Sequence, residues 1–297
     1  MAMNQTSAAL APELTELAYI LDLQNGVIII ESLIVFGMSI VQLLLLMALI
    51  WVSGVGTLSV FKPVNCVLLL MIIANGVQVA SYRAYWINND PEIEAVSYGI
   101  YSFFALFLKY LIMLYSWLRG RSALELVASS SVPVARVTLV VYALSMSAVF
   151  VLSNIDTTPA SLAAKFVIIA LNNILLGCSE TLVLVAFAVY LRRIGNNSAL
   201  PDAQKLKTIA MYGLVSAAWL LVWLVVTEVL SVTDWNVLTV PVQLRYLVLS
   251  ATAMAMPLVF IFIQLLMKLA LHRGRHREAE RMRVMVEKAR LHSNQTS

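Results

Sequence analysis

SYGIYSFFALFLKYLIMLYSW, Ser97–Trp117, is an apolar run with a lysine, Lys109, near its middle. A charge at the centre of a membrane span costs about 2.5–3.5 kcal/mol on insertion scales, so it needs a partner or a water-filled cavity. The rest of the chain reads as the bundle that encloses this charge.

Composition agrees. Apolar residues make up 61% of the 297 and charged residues 12%, with a mean hydropathy of +0.87. A soluble domain carries about 25% charged and 45–50% apolar residues, so a polytopic membrane protein is expected. Each crossing of a ~30 Å hydrocarbon core takes ~20 mostly apolar residues. The runs that qualify are 26–52, 64–85, 97–117, 134–152, 164–191, 208–232 and 242–269. Val134–Leu152 is the least polar and is expected to face lipid most widely. Pro257 predicts a kink in the last run. The expected fold is all-α, a seven-transmembrane helix bundle over 26–269. An acidic head (1–25) precedes it and a basic amphipathic tail (270–297) follows it. The first Lys or Arg is Lys62, and the missing basic n-region speaks against a cleaved signal peptide.

Lys and Arg distribution orients the bundle. With the N-terminus outside, sixteen of the twenty basic residues fall on the inner side, and Arg83, Lys165 and Arg245 fall outside. N-terminus out and C-terminus cytoplasmic is therefore expected. The inner basic surface comprises Arg119, Arg121, Arg192, Arg193, Arg273, Arg275 and Arg277. Between them, Ala279, Met282, Val286 and Ala289 repeat at helical spacing, so the tail is expected to lie on anionic inner-leaflet lipids.

Polar residues inside the spans mark a buried core: Lys109 and Ser102 in span three, Asn172, Asn173 and Glu180 in span five, and Asn75 and Gln78 on one face of span two. Glu180 is twelve residues before Arg192, and Lys109 is ten before Arg119. At ~1.5 Å rise per residue their depths match within about 3 Å if both arginines mark the inner edge, which predicts a Lys109–Glu180 ion pair. A structural pair and a ligand or ion site are equally open. A second layer, Tyr82, Arg83 and Tyr85 with Glu228 and Arg245, predicts an outer pocket for a small ligand; interfacial anchoring is the alternative. Trp219 and Trp223, one turn apart, read as packing. Asn4-Gln5-Thr6 fits a glycosylation acceptor in the outer head.

All three histidines lie in the tail, and no phosphate loop or nucleophile motif occurs. No cofactor, no metal, no catalysis and no nucleic-acid partner are expected. Cys66 and Cys178 both sit inside apolar runs and offer no loop disulfide.

Seven spans in this orientation resemble the G-protein-coupled receptors in outline. Where the rhodopsin-like class has an acidic–Arg pair, Tyr115-Ser116-Trp117-Leu118-Arg119 stands, and span seven has Met256-Pro257-Leu258. Asn75-Gly76-Val77, Phe103-Phe104 and Leu191-Arg192-Arg193 are similar to the tobamovirus-multiplication family, seven-pass receptor-like proteins of similar length. That resemblance implies a non-catalytic receptor or scaffold whose cytoplasmic partner is a G protein or another protein. A transporter with a midplane Lys109/Glu180 site is the alternative.

Overall fold

In a computed structural model, residues 3–52, 62–88, 90–155, 159–196, 203–232 and 242–295 are described. Their side chains are described from Gly26 onward, apart from some helix ends, most of 227–253 and parts of the tail. Seven helices account for the fold: α1 Met3–Val52, α2 Pro63–Ile87, α3 Pro91–Val127, α4 Ser131–Ile155, α5 Pro159–Asn196, α6 Ala203–Val232 and α7 Val242–Gln295. No strand occurs among the described residues. Each helix contains a stretch long and apolar enough to cross a membrane.

Local chemistry sets the sharpest boundaries. Pro91 opens α3 at a position where its missing N–H is no loss, and the Asp90 carboxylate accepts from the Glu92 N–H at 3.0 Å. Glu92 and Glu94 in the first turn complement the helix dipole. Pro63 opens α2 in the same manner. At its far end Asn88 caps the helix, its side-chain amide donating to the Ala84 carbonyl at 2.7 Å. Only Asn88–Asp90 and Ala128–Ser130 separate α2 from α3 and α3 from α4, so these neighbours run antiparallel.

Each helix packs on its sequence neighbour, and α7 returns to α1 to close the bundle. α3 also packs on α5 and α6, which makes it the central strut. One continuous core takes Leu46, Leu68, Ile112, Tyr142, Leu176, Leu220 and Phe260, one from every helix. The outer faces stay apolar: Val134, Val137, Val140, Val141 and Leu144 of α4 are all exposed. Water would not tolerate so much exposed apolar surface, whereas lipid requires it. The molecule is a multi-pass, all-α membrane protein.

In lipid, helix association depends on close packing rather than apolar burial, so small residues matter at contacts. A Cβ on Gly213 of α6 would lie 2.5 Å from the Phe187 ring of α5, and one on Gly120 of α3 would lie 3.0 Å from Val183. Pro257 does not interrupt α7. Side chains from neighbouring helices instead bond the carbonyls around it. Trp223 Nε1 donates to Thr252 O at 3.0 Å, Trp219 Nε1 to Met256 O at 3.4 Å and Gln42 Nε2 to Leu258 O at 2.8 Å.

Helix continues past the bundle at both termini. The helix of span one begins at Met3, within the head. The tail is not a separate element but the last turns of a 54-residue α7.

Candidate functional site

Polar groups inside the bundle form two levels. At the first, Lys109 Nζ on α3 donates to Asn173 Oδ1 on α5 at 3.5 Å and stands 5.5 Å from the centre of the Trp223 ring on α6. An amide oxygen and an aromatic face thus stabilise the ammonium. Asn172, the next residue, turns to α4, where Ser145 Oγ donates to its Oδ1 at 2.5 Å. Asn75 Nδ2 donates to Ser39 Oγ of α1 at 3.3 Å. Gln78 is buried and its Oε1 accepts no bond from the described residues. Ser102 is half-buried one face up α3. Of the seven expected core residues Asn75, Gln78, Asn172 and Glu180 are buried and Ser102, Lys109 and Asn173 half-buried.

The second level is organised by Arg119. Its Nη1 donates to Gln264 Oε1 of α7 at 2.6 Å, and its Nη2 to Ser216 Oγ of α6 at 2.8 Å and to Gly213 O at 3.4 Å. The Tyr115 and Phe187 rings flank the guanidinium at 5.8 and 5.3 Å. Three neutral acceptors and two ring faces replace the water that a cation would otherwise hold. The close approaches at Gly120 and Gly213 bring α5 and α6 in around this group.

Arg119 is therefore no part of the basic surface. It is buried, because α3 runs eight residues beyond it to Val127. The outward charge on that end of α3 is Arg121, which bridges Glu125 at 2.7 Å. Arg192 and Arg193 are exposed as expected, and Arg193 Nη1 donates to Leu126 O at 3.1 Å. Arg273 is exposed too, whereas the side chains of Arg275 and Arg277 lie outside the described residues.

The same displacement dissolves the expected Lys109–Glu180 pair. With Arg119 inside the bundle, the depth estimate loses its reference. Glu180 lies in electrostatic reach of Arg119 and beside Ser116, one turn from the Gly120–Val183 contact. Asn173, the partner of Lys109, is seven residues away, about 10 Å along α5. Among the described residues neither oxygen of the fully buried Glu180 carboxylate accepts a hydrogen bond. Tyr142 of α4 is the other polar side chain within its reach, and it too is buried.

At the opposite end of the bundle, Tyr82 and Tyr85 lie in one chain of ring contacts with Trp86, Tyr98 and Tyr101. Ring centroids run Tyr82–Trp86 6.1 Å, Trp86–Tyr85 5.3 Å, Tyr85–Tyr98 5.5 Å, Tyr98–Tyr101 6.4 Å and Tyr101–Tyr82 5.2 Å. Three rings from α2 and two from α3 thus close a five-membered cycle. Arg83 is half-buried beside it. The side chains of Glu228, Arg245 and Asn4 lie outside the described residues.

Gln264 and Ser216 were within reach of sequence reasoning, since a Gln or Ser in an apolar span is already a signal of a bundle-facing contact. Nothing in one sequence, however, indicates which polar residues from different helices share a level. Among the described residues no cluster of His, Cys, Asp and Glu suits a metal.

Fold and site together define a seven-helix integral membrane protein with a charged node at one end and an aromatic cycle at the other. No protein-family model, no curated protein and no solved structure matches the chain.

Proposed function

We propose that this is a receptor-like, non-catalytic seven-transmembrane protein. It binds a small ligand at the aromatic end and answers it at the basic end, where it signals to or scaffolds cytoplasmic partners. The Arg119 contact carries this proposal: one cation on α3 holds α6 and α7 through neutral acceptors only. Such contacts have alternatives of similar energy, so a small helix shift at one end can repack the other. Orientation with the N-terminus outside follows from the basic loops, and the tail and exposed Arg121, Arg192 and Arg193 face the cytoplasm. Near them Lys268 donates to Asn65, with Lys62 in electrostatic reach, which favours anionic inner-leaflet lipid at the ends of α2 and α7. Likeness to the tobamovirus-multiplication family in the short motifs of α2, α3 and α5 supports the same proposal.

Affinity capture from native membranes in mild detergent tests it. The expected result is a cytoplasmic protein that co-purifies with the wild type and is lost when Arg121, Arg192 and Arg193 are replaced by Ala. Release by a GTP analogue would identify a G protein. The second proposal is a transporter, favoured by the buried carboxylate of Glu180 without a hydrogen bond. Charge-dependent flux in proteoliposomes that vanishes in Glu180→Gln, with no partner captured, would establish it and overturn reception.

A further inference from the structure

The aromatic cycle has a carboxylate in electrostatic reach. Ile28 and Val35 of α1 pack into the same cluster as Tyr82, Trp86 and Tyr101. Glu31, three residues after Ile28, shares that face of α1, and its charge reaches Tyr101. Glu31 Oε2 is buried without a hydrogen-bond partner among the described residues, and so is the indole N–H of Trp86. A carboxylate oxygen out of water and without a donor calls for a positive charge or a proton.

Ring faces are negative and attract cations within about 6 Å of their centroids. Consecutive centroids lie 5.2–6.4 Å apart, so a cation seated against one ring of the cycle would come near its neighbours as well. Tyr82 forms a buried floor, while Tyr85, Trp86, Tyr98 and Tyr101 stay partly accessible as the wall. Arg83 leaves α2 about 100° round from Tyr82 and about 60° from Trp86, so its charge borders the cycle at one edge. A weakly hydrated organic cation suits such walls better than a metal ion, which would have to give up water for ring faces alone.

Building on the ligand pocket proposed above, we propose that the cycle of Tyr82, Trp86, Tyr85, Tyr98 and Tyr101 with Glu31 is a binding site for an organic ammonium group. The group comes either from a free amine or from the choline headgroup of a lipid; both present the same methylated or protonated nitrogen to rings and carboxylate.

The test uses the full-length protein in a non-ionic detergent, with tetramethylammonium chloride titrated against sodium chloride at constant ionic strength. Thermal unfolding and tryptophan fluorescence are the two readouts. Saturable stabilisation is expected, with a fluorescence change that is lost in Trp86→Phe. Glu31→Gln and Tyr101→Leu should weaken binding tenfold or more. Tyr101→Phe, which keeps the ring, should retain it, as should Phe103→Leu, whose ring packs on Phe107 and Phe150 outside the cycle. Reconstitution in phosphatidylcholine or phosphatidylglycerol nanodiscs separates the sources. Competition between phosphatidylcholine and tetramethylammonium identifies a lipid headgroup, and undiminished binding in both lipids identifies a free amine. No saturable response in a folded wild type, in detergent and in either lipid, overturns the site. A response unchanged by Glu31→Gln and Tyr101→Leu does the same. Partner capture at the basic end is independent of this outcome, so ammonium binding can fail while the receptor proposal stands, and the converse.

Discussion

Arg119 and Glu180 stand within reach of each other in the bundle, yet their bonding differs completely. Arg119 has three acceptors, whereas Glu180 has only Ser116 beside it as a donor, out of ordinary hydrogen-bond geometry. Arg119→Gln removes a charged hydrogen-bonding set and takes the donor from Gln264 Oε1, while Ser216 keeps its bond to the Gly213 carbonyl, so a loss of about 2–3 kcal/mol is expected. Glu180→Gln keeps a polar side chain beside Ser116 and gives up only the longer-range attraction to Arg119, so unfolding in detergent should show a smaller loss than for Arg119→Gln. Equal losses in the two variants would mean a direct ion pair and would refute the described arrangement. The misplacement of Arg119 in the sequence has the same origin. Arg-Gly-Arg after an apolar run looks like a membrane edge, and only the continuation of α3 to Val127 reveals that the first arginine is still inside.

Helix contacts in this bundle depend on close approach. Gly213→Val would drive two methyl groups into the Phe187 ring beside Arg119, with an expected cost of about 1–3 kcal/mol. Gly274→Ala, with nothing within 4 Å, should be neutral or stabilising by up to about 1 kcal/mol through helix propensity. Equal melting temperatures for both variants would show that α5 and α6 do not meet at Gly213. Span existence was legible because twenty apolar residues in a row have few other uses, and α2's polar face at Asn75 and Gln78 was legible from spacing. Level matching between helices was not, because it depends on where each helix starts in the membrane. Pro257 illustrates a third case: the sequence predicts a kink, and the carbonyl bonds from Trp223, Trp219 and Gln42 that accommodate it come from two other helices.

For the whole molecule, antiparallel succession places Asp90 and Ser130 at opposite ends of α3. Single cysteines at these two exposed positions, in a background with Cys66 and Cys178 replaced, should label from opposite sides with a membrane-impermeant maleimide. The proposed orientation puts the residue-90 label outside. Labelling from the same side would mean that α3 does not cross. The concentration of basic residues at alternate loops motivates the proposed sidedness, whereas the length of the last helix was not legible in the sequence. The composition of α7 shifts from apolar to basic, which suggested two elements, but its backbone hydrogen bonding runs through the change without a turn.

That continuity has a mechanical consequence. Between Pro257 and Gln295 α7 extends about 57 Å as a helix. Pro257 sits where a long helix bends most easily, among the carbonyls held by Trp219 and Trp223. A tilt of about 10° there would carry the far end sideways by about 10 Å. The tail is thus a lever arm, and a change too small to see inside the bundle would be large where Met282 and Val286 are exposed.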